Sequence, residues 1–167
     1  MREAYFHEDD YGQIELLPLD NLQHCLQQMG EQQAFADAHA SGAGWTDMYV
    51  RSAPPSQLAA LGITAVQLRQ AVSAVLPPYD AVLTGYGSYR VACENVLAFG
   101  GDETETLFAG INNDGMVADL WCSDGMAALQ LLPQREQLLF ADWNAGFVCP
   151  LAEQALFQRY LQEHELD

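Results

Sequence analysis

The chain has 167 residues, 50% of them hydrophobic and 17% charged, which is enough apolar material for a single domain over residues 1–167 and excludes a disordered protein. Twenty-three acidic residues oppose six basic ones, all arginine, and the net charge of −17 excludes nucleic acid as a direct partner because no basic patch is available. No apolar run reaches the roughly 18 residues of a membrane helix and the acidic start does not fit a signal peptide, so we expect a cytoplasmic protein that binds no membrane.

The first part of the chain predicts a strand followed by a helix. Polar and apolar residues alternate over residues 13–17, which is typical of a short strand. Asp20 followed three residues later by Gln23 fits a capping box at the start of a helix. Gly30 is a suitable end for that helix, and residues 31–40 then form a second helical stretch or a kinked continuation. The apolar face of the first helix consists of Leu22, Cys25, Leu26 and Met29.

A further helix is predicted from about Ala65 to Leu76. Thr64 is a good N-cap residue, and Gln67 stands at the third helical position, as a capping box requires. Ile63 and Leu68 have the spacing of a hydrophobic staple, which fixes the direction in which the chain enters the helix. Two consecutive prolines stop the helix because proline has no backbone N–H to donate.

After these prolines the pattern changes to short strands separated by Gly, Asn and Asp. The sequence Asp114-Gly115 supplies the positive φ angles of a tight hairpin turn. The short spacing leaves no room for the crossovers of a parallel sheet, so the sheet is expected to be antiparallel. The predicted strands are residues 81–84, 88–92, 96–99, 106–111 and 116–122.

A last hairpin and a terminal helix complete the predicted fold. The hairpin comprises residues 138–143 and 146–149, and the helix begins near Pro150. Together these elements predict an α+β fold. We expect an antiparallel sheet of about five to seven strands with helices packed on one face.

Two acidic segments are candidate contact surfaces for a partner. Like charges this close together favour exposure to solvent. Carboxylates suit Ca²⁺ or Mg²⁺, but the spacing from His7 to Asp10 matches no calcium loop, so we expect no bound metal. Both are therefore interpreted as solvated patches that meet a basic partner. Their carboxylates are Glu8, Asp9 and Asp10 in the first segment and Asp102, Glu103 and Glu105 in the second.

Tyr86 is the aromatic candidate for the same contact. It lies in the segment Gly85-Tyr86-Gly87-Ser88-Tyr89, where a turn or bulge between two strands exposes Tyr86 and Tyr89 as interface aromatics. The segment is not interpreted as a phosphate loop, because such a loop leads from a strand into a helix and here a second strand follows.

No motif in the chain predicts catalysis. The four cysteines lie far apart without zinc spacing, and we expect them to be reduced and mostly buried. Cys149 as a nucleophile is the alternative, although no His and carboxylate pattern accompanies it. The sequence thus indicates no catalytic residue and no cofactor.

Several segments resemble the small cytosolic immunity proteins of bacterial polymorphic-toxin systems, which include contact-dependent inhibition and type VI secretion. These segments are Tyr5 to Tyr11, Ile14 to Pro18, Gly85-Tyr86-Gly87 and the hairpin from Phe108 to Trp121. The resemblance implies a stoichiometric inhibitor that binds a cognate toxin domain in the producing cell and blocks its active site or a nearby surface. Family members bind at different places, so no contact residue is carried over by motif.

The charge favours a basic toxin, because opposite potentials speed association and make it sensitive to salt. Two alternatives stay open. A small enzyme with an active site assembled from residues distant in sequence would have a deep pocket with converging titratable groups. An adaptor that acts without any toxin would bind through a sheet edge or a helix groove and would expose a large apolar patch.

Overall fold

The computed structural model describes residues 1–7, 13–41, 44–45, 51–101 and 105–164. The elements in chain order are β1 (Glu3–Tyr5), β2 (Ile14–Pro18), α1 (Leu22–His39), β3 (Ala40–Ser41), β4 (Gly44–Trp45), α2 (Ala65–Val72), β5 (Ala81–Tyr86), β6 (Tyr89–Ala92), β7 (Val96–Gly100), β8 (Thr106–Ile111), β9 (Val117–Cys122), β10 (Leu138–Asp142), β11 (Phe147–Pro150) and α3 (Gln154–Glu163). Short 3₁₀ helices cover Leu19–Asn21, Leu58–Leu61, Ala127–Leu131 and Arg135–Gln137. The predicted α+β class is confirmed.

The main sheet has six strands in the order β11-β10-β2-β9-β8-β7, and every neighbouring pair is antiparallel. Its centre is the early strand β2, which pairs with β10 over five residues and with β9 through Glu15 and Trp121. A second sheet of three strands has the order β1-β5-β6. Strand β1, which was not predicted from the sequence, pairs parallel to β5. Strands β3 and β4 pair with each other.

Helices cover both faces of the main sheet, which corrects the expectation that they pack on one face. Leu16 and Leu17 are neighbours in β2, so their side chains point to opposite faces. Leu16 belongs to the large core cluster with Leu68 of α2 and Phe157 of α3. Leu17 belongs to a separate cluster with Cys25 of α1. Because β2 is apolar on both faces, each face needs a covering layer.

The three-stranded sheet packs beside α1 on the second face of the main sheet. Ala4 of β1 and Val82 of β5 form a buried cluster with Ala98 of β7 and Phe108 of β8. Phe6 extends this cluster, with its ring centroid 5.1 Å from that of Phe108. The second face is thus shared between α1 at one end and the small sheet at the other.

Helix α3 is fixed to the main sheet by a buried polar contact. The Tyr160 hydroxyl donates a 2.6 Å hydrogen bond to Oδ2 of Asp142, and Oδ1 of the same carboxylate accepts from the Ala145 backbone N–H at 3.0 Å. Burial and the Asp142 contact raise the pKa of the Tyr160 hydroxyl, so it remains a donor near neutral pH. One carboxylate therefore ties the β10–β11 turn to the last helix.

The N-terminal caps differ between the two longer predicted helices. The capping box of Thr64 and Gln67 is confirmed, with the Gln67 backbone N–H donating to Thr64 Oγ1 at 3.1 Å and the Thr64 backbone N–H donating to Gln67 Oε1 at 3.0 Å. The predicted Asp20 cap is wrong. Asp20 instead accepts a 2.7 Å hydrogen bond from the Ser56 hydroxyl, and α1 begins directly after a 3₁₀ turn.

Helix α1 also continues through Gly30, where the sequence favoured an end or a kink. Glycine disfavours a helix by only about 1 kcal/mol relative to alanine. The packing of α1 against the main sheet through Cys25 and Met29 outweighs that cost. A Cβ atom built at Gly30 would meet nothing within 4 Å.

We therefore expect Gly30→Ala to raise the free energy of unfolding by about 0.5–1 kcal/mol, because alanine removes the helix penalty without a clash. Urea denaturation monitored by circular dichroism measures the change. Gln23→Ala, at an exposed position of the same helix, is the matched control and should change stability little. A loss of stability in Gly30→Ala would show that α1 does not run straight through this position.

Candidate partner-binding surface

Strands β5 and β6 form a hairpin at the edge of the small sheet. Its strands pair antiparallel from Leu83 with Ala92 to Tyr86 with Tyr89, and a two-residue turn joins them. Gly85 has a φ of +113°, and a Cβ atom here would overlap the Tyr89 carbonyl oxygen. Only glycine allows the two strands to approach so closely at this point. The Tyr5 hydroxyl donates to the Gly85 carbonyl oxygen and so ties the hairpin to β1.

Strand β6 forms the outer edge of the small sheet, and all four of its residues are exposed. The exposed fraction is 78% for Tyr89 and 47% for Val91. Both side chains lie on the same face of the hairpin as the buried Val82, which packs against the main sheet. Val91 is paired with Thr84, and Thr84 lies two residues from Val82, so all of these side chains point to one face. The main sheet thus covers this apolar face at Val82 and leaves it uncovered at Tyr89 and Val91.

The structure separates the predicted contact residues that it describes. The backbone of Tyr86 lies at the turn end of the hairpin, as predicted, next to the exposed Tyr89. Glu105 is exposed and lies at the other end of the small sheet. Its carbonyl oxygen lies against Gly100, and the Gly100 carbonyl accepts a hydrogen bond from the side chain of Arg2, which directly precedes β1. The remaining predicted residues, which lie outside the described residues, are Glu8, Asp9, Asp10, Asp102 and Glu103.

Acidic side chains outnumber basic ones on the described surface. Within the described ranges Asp142 is the only buried carboxylate, Glu15 and Asp124 are half-buried, and the others are exposed. Four arginines place the guanidinium group over an aromatic ring of the same chain. These pairs are Arg2 with Tyr79, Arg51 with Trp143, Arg69 with Phe99 and Arg90 with Tyr5.

A half-buried acid that was not among the predicted contact residues lies on β2. Glu15 accepts a 2.8 Å hydrogen bond from the Trp143 indole N–H. Burial raises the pKa of Glu15, the Trp143 hydrogen bond and the charge of Arg51 act in the opposite direction, and Asp119 raises it further. The sequence signal was a single glutamate between apolar neighbours in a predicted strand, which does not distinguish a buried acid from a solvated one.

A cleft of about 350 Å³ opens beside the start of β5 and the end of β6. Asp80, Glu94 and Arg69 line it, and the guanidinium of Arg2 lies over the ring of the lining residue Tyr79. Asp80 also accepts a 2.7 Å hydrogen bond from the Arg2 backbone N–H. The chemistry of these side chains suits the binding of a cationic group.

The cysteines are free thiols, and burial raises the pKa of each of them. For Cys149 the pKa rises to about 11, so the thiolate that a nucleophile requires is scarce at neutral pH. In the part of the chain that the structure describes, no group of three or more His, Cys, Asp or Glu could hold a metal ion. None of the helices described there has the length and apolar character needed to cross a membrane.

Comparison of the chain with protein-family models, curated proteins and solved structures finds no match.

The raised pKa of Glu15 predicts a pH-dependent stability. The folded protein holds the Glu15 proton more tightly than the unfolded chain, so this contribution to stability is complete below the unfolded pKa near 4.5 and is lost as pH rises through the folded pKa. We expect Glu15→Gln, which keeps an acceptor for Trp143, to lose this part of the pH dependence. The free energy of unfolding, measured with urea at intervals from about pH 4 to 7, where carboxyl groups titrate, gives this pH dependence.

The control for this prediction is Glu136→Gln, which removes one exposed carboxylate and should keep the wild-type difference between low and neutral pH. Identical pH profiles for Glu15→Gln and the wild type would contradict the assignment.

Proposed function

We propose that this protein is an immunity protein, a stoichiometric inhibitor that binds and neutralises a cognate, basic bacterial toxin domain in the cytoplasm of the producing cell. The observation that carries the proposal is the uncompensated acidity of the surface. The net charge is −17, and the described acids are exposed with three exceptions, whereas four of the six arginines lie over aromatic rings. A field of one sign steers a partner of the opposite sign and repels unsuitable ones.

The exposed aromatic edge supports the same function. Charge sets the rate and the salt dependence of association, whereas buried aromatic and apolar contacts supply most of the affinity. Tyr89 and Val91 are exposed on the hairpin, and the predicted contact residue Tyr86 belongs to the same β-hairpin. A partner that covers this hairpin gains apolar contact within a negative field.

The proposal is tested by capture followed by genetics. The tagged protein, expressed in the bacterium that encodes it, is recovered at low salt, and the proteins bound to it are identified by mass spectrometry. We expect one basic domain in equal amount, with binding that weakens as salt rises. Deletion of the gene for the acidic protein should then be tolerated only in cells that also lack the gene for the captured domain.

An adaptor without a toxin is the second candidate, and the exposed edge of β6 favours it. The genetic test separates the two functions. Cells that lose the acidic protein and grow normally with the captured domain still present would refute the inhibitor and favour the adaptor.

The two predicted acidic segments are expected to control the rate of association. The triple variants are Glu8→Gln, Asp9→Asn, Asp10→Asn and, separately, Asp102→Asn, Glu103→Gln, Glu105→Gln. For a variant whose segment faces the partner, we expect the association rate constant to fall by about tenfold at low salt, because charge steering weakens. Surface plasmon resonance with the captured domain measures the rate.

The matched control for these variants removes three negative charges elsewhere, by Glu136→Gln, Glu153→Gln and Glu163→Gln. All three positions are exposed. An equal slowing in the control would show that net charge alone, and neither predicted segment, sets the rate.

A further inference from the structure

The backbone pattern of the hairpin determines which groups of β6 point outward. The Leu83 carbonyl accepts from the Phe6 N–H and so faces β1, whereas the Val82 carbonyl accepts from the Cys93 N–H and faces β6. Bonding directions alternate along a strand. Tyr89, Val91 and Cys93 therefore bond to β5, and the N–H and C=O groups of Arg90 and Ala92 point away from it. These outward groups are called the free edge.

The free edge lacks the protection that proteins commonly give to such strands. Among the described residues no strand pairs on the outer side of β6. It contains no proline, and its only charged side chain, Arg90, lies on the opposite face from Tyr89 and Val91, with its guanidinium 5.9 Å from the Tyr5 ring centroid. Exposed backbone groups beside an exposed apolar face are the combination that adds another strand.

We infer that the free edge of β6 binds an extended segment of a partner protein, which becomes the next strand of the small sheet. This segment carries apolar side chains at alternate positions, which pack beside Tyr89 and Val91, and at least one lysine or arginine. The inference rests on the proposed function for the basic character of the partner.

The position of the cleft supplies the reason for the basic residue. A segment that follows β6 from Tyr89 past Ala92 reaches the cleft beside Cys93, where Asp80 and Glu94 are placed. A cationic side chain at that end of the segment meets carboxylates, while the apolar positions meet the hairpin. The same charge disfavours a second copy of this chain, since each copy has a net charge of −17.

The first experiment uses a peptide probe, acetyl-Lys-Val-Lys-Val-Lys-Val-amide, with the isotopically labelled full chain. Nuclear magnetic resonance measures hydrogen exchange at each backbone amide. We expect the peptide to slow exchange of the Arg90 and Ala92 amides at least fivefold. The control acetyl-Lys-Pro-Lys-Pro-Lys-Pro-amide has the same charge and cannot form a strand ladder, so it should leave both amides unchanged. No slowing with the valine peptide, or equal slowing with both, would overturn the inference.

A pair of variants tests the free edge directly. Ala92→Pro removes an outward N–H and leaves the hydrogen bonds between β5 and β6 intact, whereas Ala92→Ser keeps that N–H. We expect Ala92→Pro to weaken peptide binding at least tenfold relative to Ala92→Ser. Thermal melting of both variants shows whether each is folded. If Ala92→Pro does not fold, an N-methyl group introduced at Ala92 by semisynthesis replaces it. Equal binding by the blocked and unblocked proteins would overturn the inference.

Two further outcomes distinguish this inference from the proposed function. If the toxin domain captured by the wild type binds Ala92→Pro and Ala92→Ser equally well, strand addition is wrong and the inhibitor function stands. If no domain is captured but the valine peptide protects Arg90 and Ala92, the edge binds strands and the inhibitor function is wrong. A wild-type dimer in sedimentation that Ala92→Pro abolishes would assign the edge to a second copy and overturn the inference.

Discussion

The insertion of β2 between β9 and β10 is the constraint on which the rest of the structure depends. This short strand joins the hairpin β10–β11 to the series β9-β8-β7, and so makes one six-stranded sheet from parts distant in sequence. Leu16 and Leu17 then bury the two faces separately, the first against α2 and α3 and the second against α1. Without β2 the apolar residues of β9 and β10 would line two open edges. The packing of α1 on one face and of α2 and α3 on the other thus depends on this insertion.

Elements whose signals lie within a few residues could be predicted from the sequence. The capping box at Thr64 and the turn at Gly115, whose φ is +77°, are local arrangements, and both occur in the structure. The division into two sheets is not local, because β1 becomes a strand only by pairing with β5, which lies far along the chain. Gly30 shows the converse, since a local preference for ending the helix is overruled by packing.

The candidate surface shows the same limit. The glycines around Tyr86 correctly predicted a turn, because positive φ angles require particular residues, and Tyr89 after this turn is exposed. Which strand would form an edge depends on the order of strands in the sheet, and the four residues of β6 carry no signal of it. The half-buried Glu15 likewise owes its environment to Trp143 and Arg51, which are remote in sequence.

An exposed strand edge and a strong negative charge have a joint consequence for the solution behaviour of this protein. Repulsion between molecules of one sign opposes the pairing of one free edge with another, and this repulsion vanishes where the charge is neutralised. The sequence has an isoelectric point near 4.2. Close to that pH charge no longer opposes contact between the exposed Tyr89 and Val91 of two molecules, so we expect self-association there to involve β6. The same acidity on which the proposed steering of a basic partner depends thus also opposes contact between two copies of this chain.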